Sequence, residues 1–432
     1  AYKRVEVEIN RQSSPGYPYR LLSSSNGDCL DLFGDEIKQL VRERVLKILY
    51  PGGSKEQSQA ERERNIECLD FEEYARSPTS WYEKGLRDPD RIFPKNQANP
   101  KRKPLPRVIC GASLVDQMVT RIFFQNFTKS EGEAYPHISV TKKGIGFSDE
   151  HAQQIGGYVD ELSKIFGCDP KVSDVSGWEK VFSSDLAECP RKAMRKTCVN
   201  IDRCEYSFAR AFGWWKLSLL SNICVTDQGK VIATFDQKVQ RSGNYLTTSS
   251  NSMGRATLAF LVGSFPSTNG DDCFEWNECE LQELIERYTA LGLPVRDVDQ
   301  MPEGVVHFCS HEFFRSPGGQ WKAYLHTWER MLWESSRKRV HEQETDVNYM
   351  TELENHPDPA FVELVRYYLE ERAQLLGATA GHDKEEERAR SCSRPKTTTA
   401  ARDEDAEEEE ESEGHGGGGA GFREKHRQTP ST

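Results

Sequence analysis

The stretch VGSFPSTNGDDCFEW (262–276) constrains the chain most, because it leaves little choice of local structure. Two short extended pieces flank Asn269-Gly270, a pair that favours tight hairpin turns. The pattern predicts a β-hairpin whose turn carries Asp271 and Asp272. Adjacent carboxylates repel one another, so a cation is expected opposite them. By average residue usage a chain of 432 residues contains Gly-Asp-Asp by chance on the order of one time in ten. The tripeptide alone therefore does not separate a metal-binding turn from an Asx-rich turn.

Other segments narrow the choice. PKVSDV (170–175) reads as a short strand carrying Asp174, and two strand ends packed side by side would bring Asp174 and Asp271 to one metal pair. In SGNYLTTSSNSMGRATLAFLVG (242–263), Ser242, Gly243, Thr247 and Asn251 follow the spacing Ser-Gly-x3-Thr-x3-Asn, which usage arithmetic gives in well under about one such chain in a hundred. Gly243 permits a bent, close-approaching loop, and the helix predicted after it sets Thr247 and Asn251 four residues apart on one face. Polar groups so placed can read a ribose hydroxyl; a Ser/Thr-capped helix start is the other reading.

The rest of the body reads as mixed α and β without an internal repeat. FGDEIKQLVRERVLKILY (33–50) predicts a core-facing helix with Phe33, Ile37, Leu40, Val41 and Ile48 near one stripe. QWKAYLHTWERMLWE (320–334) spaces Trp321, Leu325, Trp328 and Leu332 as a buried helical stripe would. In HFCSH (307–311), His307, Cys309 and His311 are expected on one face of a strand, where packing is favoured over a zinc site because a fourth ligand is not apparent.

Charge is unevenly spread over the chain's net of −12. PKNQANPKRKPLPR (94–107) holds Lys95, Lys101, Arg102, Lys103 and Arg107 without one acidic residue. Its prolines keep it extended, so these cations suit a groove for triphosphate or RNA backbone, against the alternative of a solvated loop. After residue 378 the composition turns to charge and glycine, with nine basic against fourteen acidic residues over 380–432, so a disordered acidic tail is expected. Twelve scattered cysteines without a CxxC pair read as reduced thiols. A start at Ala1 rather than Met fits a piece of a longer product, and AYKRVEVEIN lacks a signal peptide's apolar core. With no run long enough for a membrane helix, a soluble chain that is not secreted is expected.

Taken in order, these segments resemble the RNA-dependent RNA polymerases of positive-strand RNA viruses, most closely those of sobemoviruses and their relatives. The likeness runs from about residue 11 to residue 335. It begins with SSPGYPY (13–19) and continues through GLRDPDRIFPKNQ (85–97), RVICGASLVDQMVTRIFF (107–124), GIGFSDE (144–150) and SDVSGW (173–178). The Ser242–Asn251 block, GDDC with Glu275, LGLPV (291–295) and FCSHEF (308–313) follow.

The resemblance implies an α+β right-hand fold of fingers, palm and thumb, with an antiparallel palm sheet. It implies mainly fingers over 1–165, palm over 166–306 with part of the fingers inserted between Asp174 and Ser242, thumb over 307–378, and the tail from 379. The implied activity is template-directed RNA synthesis from ribonucleoside triphosphates, replicating a viral RNA genome. Asp174, Asp271 and Asp272 would hold two Mg²⁺ or Mn²⁺ ions. Lys95 and Arg107 would bind the triphosphate, while Glu179, Ser242, Gly243, Thr247 and Asn251 would check the ribose. Ser13, Ser14, Pro15 and Gly16, with Lys101, Arg102 and Lys103, would meet the template. Expected partners are the RNA template, a primer or nascent strand, and a small genome-linked protein as candidate primer. Replication complexes in the host cytoplasm, joined to membranes only through partners, are the expected location.

Three positions depart from the family pattern. Glu179 stands where an aspartate is usual, LGLPVRDVDQ (291–300) lacks the lysine that often protonates pyrophosphate, and Asn269 precedes Gly270. Arg296, the nearest cation to the missing lysine, is a poor acid. Glu179 and the absent lysine keep a catalytically silent RNA-binding scaffold as an alternative, and a reverse-transcriptase-like enzyme is a third reading. Gly270 and Asn251 speak against the latter.

Overall fold

The computed structural model describes residues 1–50, 78–95, 108–134, 139–220, 222–234, 243–337 and 343–392. Eleven strands lie among them: β1 (Asp90–Pro94), β2 (Val108–Gly111), β3 (Lys171–Val175), β4 (Asn222–Thr226), β5 (Val231–Thr234), β6 (Phe265–Asn269), β7 (Asp272–Trp276), β8 (Val295–Gln300), β9 (Val305–Phe308), β10 (His311–Arg315) and β11 (Trp321–Leu325). They form three sheets, ordered β2-β1-β4-β5, β6-β7-β3-β8 and β11-β10-β9. All pairings are antiparallel except β1 with β4. The fold is thus mixed α+β with antiparallel sheets.

The predicted 262–276 hairpin is β6 and β7, although its turn differs by one residue from the expectation. Asn269 pairs with Asp272, so the two-residue loop is Gly270-Asp271 rather than Asn-Gly. Gly270 has φ 69° and Asp271 is not left-handed, as suits a loop with glycine at its first central position. The free edge of β6 is covered by residues 140–142, through Thr268 N to the Val140 carbonyl (2.9 Å) and Lys142 N to the Thr268 carbonyl (2.7 Å).

Alternation then divides this sheet. Ser173 and Glu275 point to one face, and Val172 and Phe274 to the other. Phe274 and Trp276 share a core with Phe308, Phe313 and Trp321 of β9–β11 and with Ile155 of the Asp149–Phe166 helix. That packing leaves no room on Gly156, where a Cβ would fall 1.9 Å from the Trp321 ring. The Thr247–Leu261 and Leu281–Ala290 helices cover the Ser173 and Glu275 face, through Arg255 and Tyr288.

Three local expectations are corrected. The helix expected over 33–50 spans Asn26–Leu49, starting at a Ser25 cap, with non-helical dihedrals at Phe33; Ile37, Val41 and Ile48 are buried but Leu40 is exposed. Residues 320–334 are not one helix: Trp321 and Leu325 lie on β11, and the Trp328–Arg337 helix follows. Both Trp321 and Leu325 are core residues all the same. HFCSH is a hairpin rather than one strand, since Cys309 (φ 52°) and Ser310 (φ 65°) form the turn between β9 and β10. His307 Nε2 therefore meets Glu312 Oε2 at 3.0 Å, while the His311 ring is buried and stacked on Phe147, 3.5 Å between centroids. Burial lowers the His311 pKa to about 4, the mark of a neutral packed ring.

The first compact unit covers Ala1–Gly377, the second Ala378–Thr432. The last helix, Pro359–Cys392, is helical past residue 378, where the composition changes. The remainder of the expected tail, 393–432, lies outside the described residues. All ten cysteines with described side chains are free thiols, and among the described residues no helix is long and apolar enough to cross a membrane.

Candidate active site

Register sets the ends of β3 and β7, which carry Asp174 and Asp272, side by side. Ser173 on β3 pairs with Cys273 on β7, and the same register carried one residue further sets Asp174 opposite Asp272. Both then stand on the Phe274 face, at its open end, with Asp271 in the adjoining loop. Asp174 and Asp272 are exposed and Asp271 is half-buried. Neighbouring strands lie about 4.8 Å apart, so oxygen ligands from two strand ends can reach a shared cation. These hard carboxylate donors suit Mg²⁺ or Mn²⁺. Among the described residues, no three His, Cys, Asp or Glu side chains are already gathered in a form that could hold an ion.

A buried polar network fixes the floor behind this edge. Arg255 Nη1 donates to Tyr288 Oη at 2.8 Å, and Arg255 Nη2 donates to Ser173 Oγ and to Glu275 Oε1, the latter at 3.3 Å. Tyr288 Oη also meets both Glu275 oxygens, at 2.9 and 2.7 Å, and Ser173 Oγ donates to Glu275. Arg255 and Glu275 are 0% exposed, so each needs the other. Burial alone would pull the Arg255 guanidinium down, but Cys273, Tyr288 and Glu275 outweigh it and hold it above its usual value. The network joins β3 and β7 directly beside Asp174 and Asp272.

The Thr247–Leu261 helix is tied to the same hairpin. Ser252 Oγ accepts from the Gly270 amide at 2.8 Å and donates to the Thr248 carbonyl at 2.8 Å. The Ser252 carbonyl accepts from Thr268 Oγ1 at 2.9 Å. Asn251 is buried and Thr247 half-buried, four residues apart as expected. The helix start is capped by Leu246 without a side-chain bond, so Thr247 and Thr248 are not its cap. Asn244 Oδ1 orders the approach instead, accepting from Leu246 N at 3.1 Å and Trp215 Nε1 at 3.2 Å. Gly243 has a steric reason: a Cβ there would sit 1.8 Å from the Cys110 carbonyl oxygen. Glu179 lies in the short Trp178–Val181 helix, and its side chain is outside the described residues. That helix packs under the Asn251 helix, for a Cβ on Gly254 would come 3.1 Å from the Phe182 ring and 3.6 Å from Trp178.

The N-terminal motif meets the strip after β2. Leu114 N donates to the Pro15 carbonyl at 2.7 Å, and a Cβ on Gly16, at φ 68°, would approach the Ala112 carbonyl oxygen to 2.6 Å. Ser14 Oγ accepts from Arg91 Nη1 at 3.4 Å, and Arg91 is also paired with Asp227. Ser13 joins the segment through its carbonyl, which accepts from Asn26 N at 2.7 Å. Gly16 and Gly243 thus press on neighbouring stretches of one backbone strip. Lys95 directly follows β1, in a different sheet from the carboxylates. Lys101, Arg102, Lys103, Arg107 and Ser242 lie outside the described residues.

Several contributors were not singled out from sequence. Ser252, Arg255 and Tyr288 carry the framework, and a lone arginine within the apolar run MGRATLAFLVG was the available signal for Arg255. Cys309, expected from the sequence as a strand residue favoured for packing over zinc binding, accepts through Sγ from Asn269 Nδ2 at 3.2 Å. Burial pushes its thiol up, and the Asp272 and Asp271 carboxylates add to that. The segment lacking a lysine forms β8, whose Arg296 is the backbone partner of Asp174.

Residues 190–332, which include the Thr247–Leu261 helix and both hairpin aspartates but not Asp174, match the family described as viral RNA-directed RNA-polymerase. The chain is 28% identical to the replicase polyprotein P2AB of Southern cowpea mosaic virus over 77% of its own length and 32% of the relative's. It is 26% identical to the P2AB polyprotein of Cocksfoot mottle virus, over 88% of this chain and 37% of the relative. To Protein P1-P2 of Potato leafroll virus it is 30% identical, over 54% and 22%. The chain thus spans about a third of the length of the replicase polyproteins it matches. Residues 190–332 thus match the viral RNA-directed RNA-polymerase family, and most of the chain is similar to part of the replicase polyproteins of these plant viruses.

Proposed function

We propose that this chain copies an RNA template into RNA from ribonucleoside triphosphates and so replicates a viral RNA genome. The carrying observation is that β3 and β7 pair up to Ser173 and Cys273, one residue short of Asp174 and Asp272, with the Thr247–Leu261 helix bonded to the same turn through Ser252. Asp174, Asp271 and Asp272 would hold two Mg²⁺ or Mn²⁺ ions. When bound, such ions lower the pKa of a primer 3′-hydroxyl and neutralise a departing pyrophosphate. The protein's own part is to hold these carboxylates against the Arg255–Glu275 network, and to present Asn251 and Thr247, with Ser242 and Gly243, to the ribose. Asn251 and Glu179 on their two packed helices form the sugar sensor. In this reading Lys95 and Arg107 would bind the triphosphate, and Ser13–Gly16 with Lys101, Arg102 and Lys103 would meet the template.

This reading includes a right-hand arrangement in which 1–165 are mainly fingers, 166–306 palm with the insertion between Asp174 and Ser242, and 307–378 thumb. Its partners are the template, the primer or nascent strand and a small genome-linked protein, within host cytoplasmic replication complexes. The test is primer extension on an RNA template with ribo- or deoxynucleotides, with and without Mg²⁺. Metal-dependent incorporation of ribonucleotides supports the proposal. Deoxynucleotide preference would indicate a reverse-transcriptase-like enzyme, and RNA binding without incorporation a silent scaffold.

A further inference from the structure

We propose that Asn269 and Cys309 form a latch that sets the position of the Asp271–Asp272 turn, making both positioning residues for the nucleotidyl transfer above, a reading on which the inference rests. Asn269 is the last residue of β6 and Cys309 the first residue of the β9–β10 turn, and the 3.2 Å bond between Nδ2 and Sγ joins the two hairpin tips. From its other flank the loop is held by the Ser252 hydroxyl on the Gly270 amide. The loop bearing the carboxylates is therefore gripped on one side by the Thr247–Leu261 helix and on the other by the second hairpin.

The second hairpin is built to hold its thiol there. Cys309 and Ser310 are both left-handed, the conformation of a two-residue turn that glycine and asparagine adopt most easily. Backbone of this kind persists only where its surroundings over-determine it. Here the Cys309 carbonyl accepts from His311 Nδ1 at 2.9 Å, and the Ser310 carbonyl accepts from His326 N at 2.9 Å. The His311 ring is clamped on Phe147, and Phe308 packs edge-on to Phe274 at 4.8 Å, fixing the hairpin on the sheet that carries Asp272. A tip whose thiol accepts from Asn269 and also meets the Asp272 carboxylate transmits its position to the two residues after Gly270. Departures well under 1 Å matter for groups that must align reacting atoms.

The experiment compares the full chain with Asn269→Ala, Cys309→Ala, the double variant and Cys309→Ser. It reads kcat and the nucleotide KM in primer extension, Mn²⁺ affinity of the protein alone, and the unfolding midpoint. Each alanine should lower kcat about tenfold with KM held within about twofold, and should weaken Mn²⁺ binding. The double variant should be no worse than Cys309→Ala alone, because that variant already removes the bond which Asn269→Ala removes. Cys309→Ser keeps an acceptor at nearly the same place and should recover most of the loss. Additive losses, a serine variant as poor as alanine, or unaltered kcat and Mn²⁺ affinity would each overturn the latch. Should Cys309→Ala fail to fold, Asn269→Ala falling while Cys309→Ser holds carries the test. If the wild-type chain extends no primer, the polymerase reading fails instead, and Mn²⁺ affinity with coupling in the unfolding midpoints still decides the latch.

Discussion

The Ser252 hydroxyl accepts from the Gly270 backbone amide at 2.8 Å and so ties the helix bearing Thr247 and Asn251 to the turn bearing Asp271 and Asp272. Ser252 is buried, and its remaining hydroxyl proton goes to the Thr248 carbonyl. Ser252→Ala leaves the Gly270 amide without that acceptor, a loss of about 1–3 kcal/mol. The expected outcome is a lower denaturant midpoint together with a kcat reduced about tenfold. Unchanged kcat in a destabilised variant would make the bond structural only.

Arg255 and Glu275 form a fully buried pair, and both also bond to Tyr288 and Ser173. Arg255→Met strands the Glu275 carboxylate and should cost about 3–5 kcal/mol. Adding Glu275→Gln to that variant removes the stranded charge and should recover part of the loss. Equilibrium unfolding of the two variants checks the order, and a double variant less stable than Arg255→Met alone would contradict it.

How much of this was legible in the sequence follows from how local each feature is. The 262–276 hairpin, the strand at Asp174 and the helix from Thr247 are set by turn residues and periodicity within a few positions, and all three are present. The 320–334 segment misled because Trp321 and Leu325 are four apart, a spacing that fits one face of a strand as well as one face of a helix. HFCSH misled because its left-handed turn uses Cys309 and Ser310 without the glycine or asparagine that would announce it. The Arg255 network joins side chains from β3, β7 and two helices, and no local pattern in a sequence encodes such a meeting.

Lys142 is buried beside the free edge of β6, its Nζ donating to the Ser139 carbonyl at 2.7 Å and lying 3.7 Å from the Tyr158 ring centroid. Burial lowers its pKa to about 7, whereas an unfolded lysine titrates near 10.4. Between those values the unfolded state binds the extra proton, so this residue makes stability rise with pH from about 7 to about 10. Below about pH 7 the buried charge costs its full penalty. Lys142→Met should therefore gain most relative to wild type near pH 6, the difference shrinking by a few kcal/mol toward pH 10. Urea midpoints across that range decide the matter, and a difference independent of pH would refute it.

Asn251 lies on the helix packed against the one that bears Glu179. A polar group that meets ribose but not deoxyribose supplies about ten- to a hundredfold selection. Asn251→Ala should lower the ratio of ribo- to deoxynucleotide incorporation efficiency by that order, whereas Glu179→Asp should preserve or sharpen it. A ratio untouched by Asn251→Ala would remove the sugar-sensing role while leaving RNA synthesis in place.

Asp271 is the most direct test, because it sits in the Gly270-Asp271 loop held by the Ser252 hydroxyl and flanked by the Asn269–Cys309 bond. Asp271→Asn keeps the shape of the side chain and removes the charge that would hold the ions. The deciding measurement is nucleotide incorporation by Asp271→Asn in Mg²⁺, run beside RNA affinity and the unfolding midpoint of the same preparation. The account predicts incorporation reduced by more than about a thousandfold with affinity and midpoint nearly unchanged. Incorporation within about tenfold of wild type would contradict it.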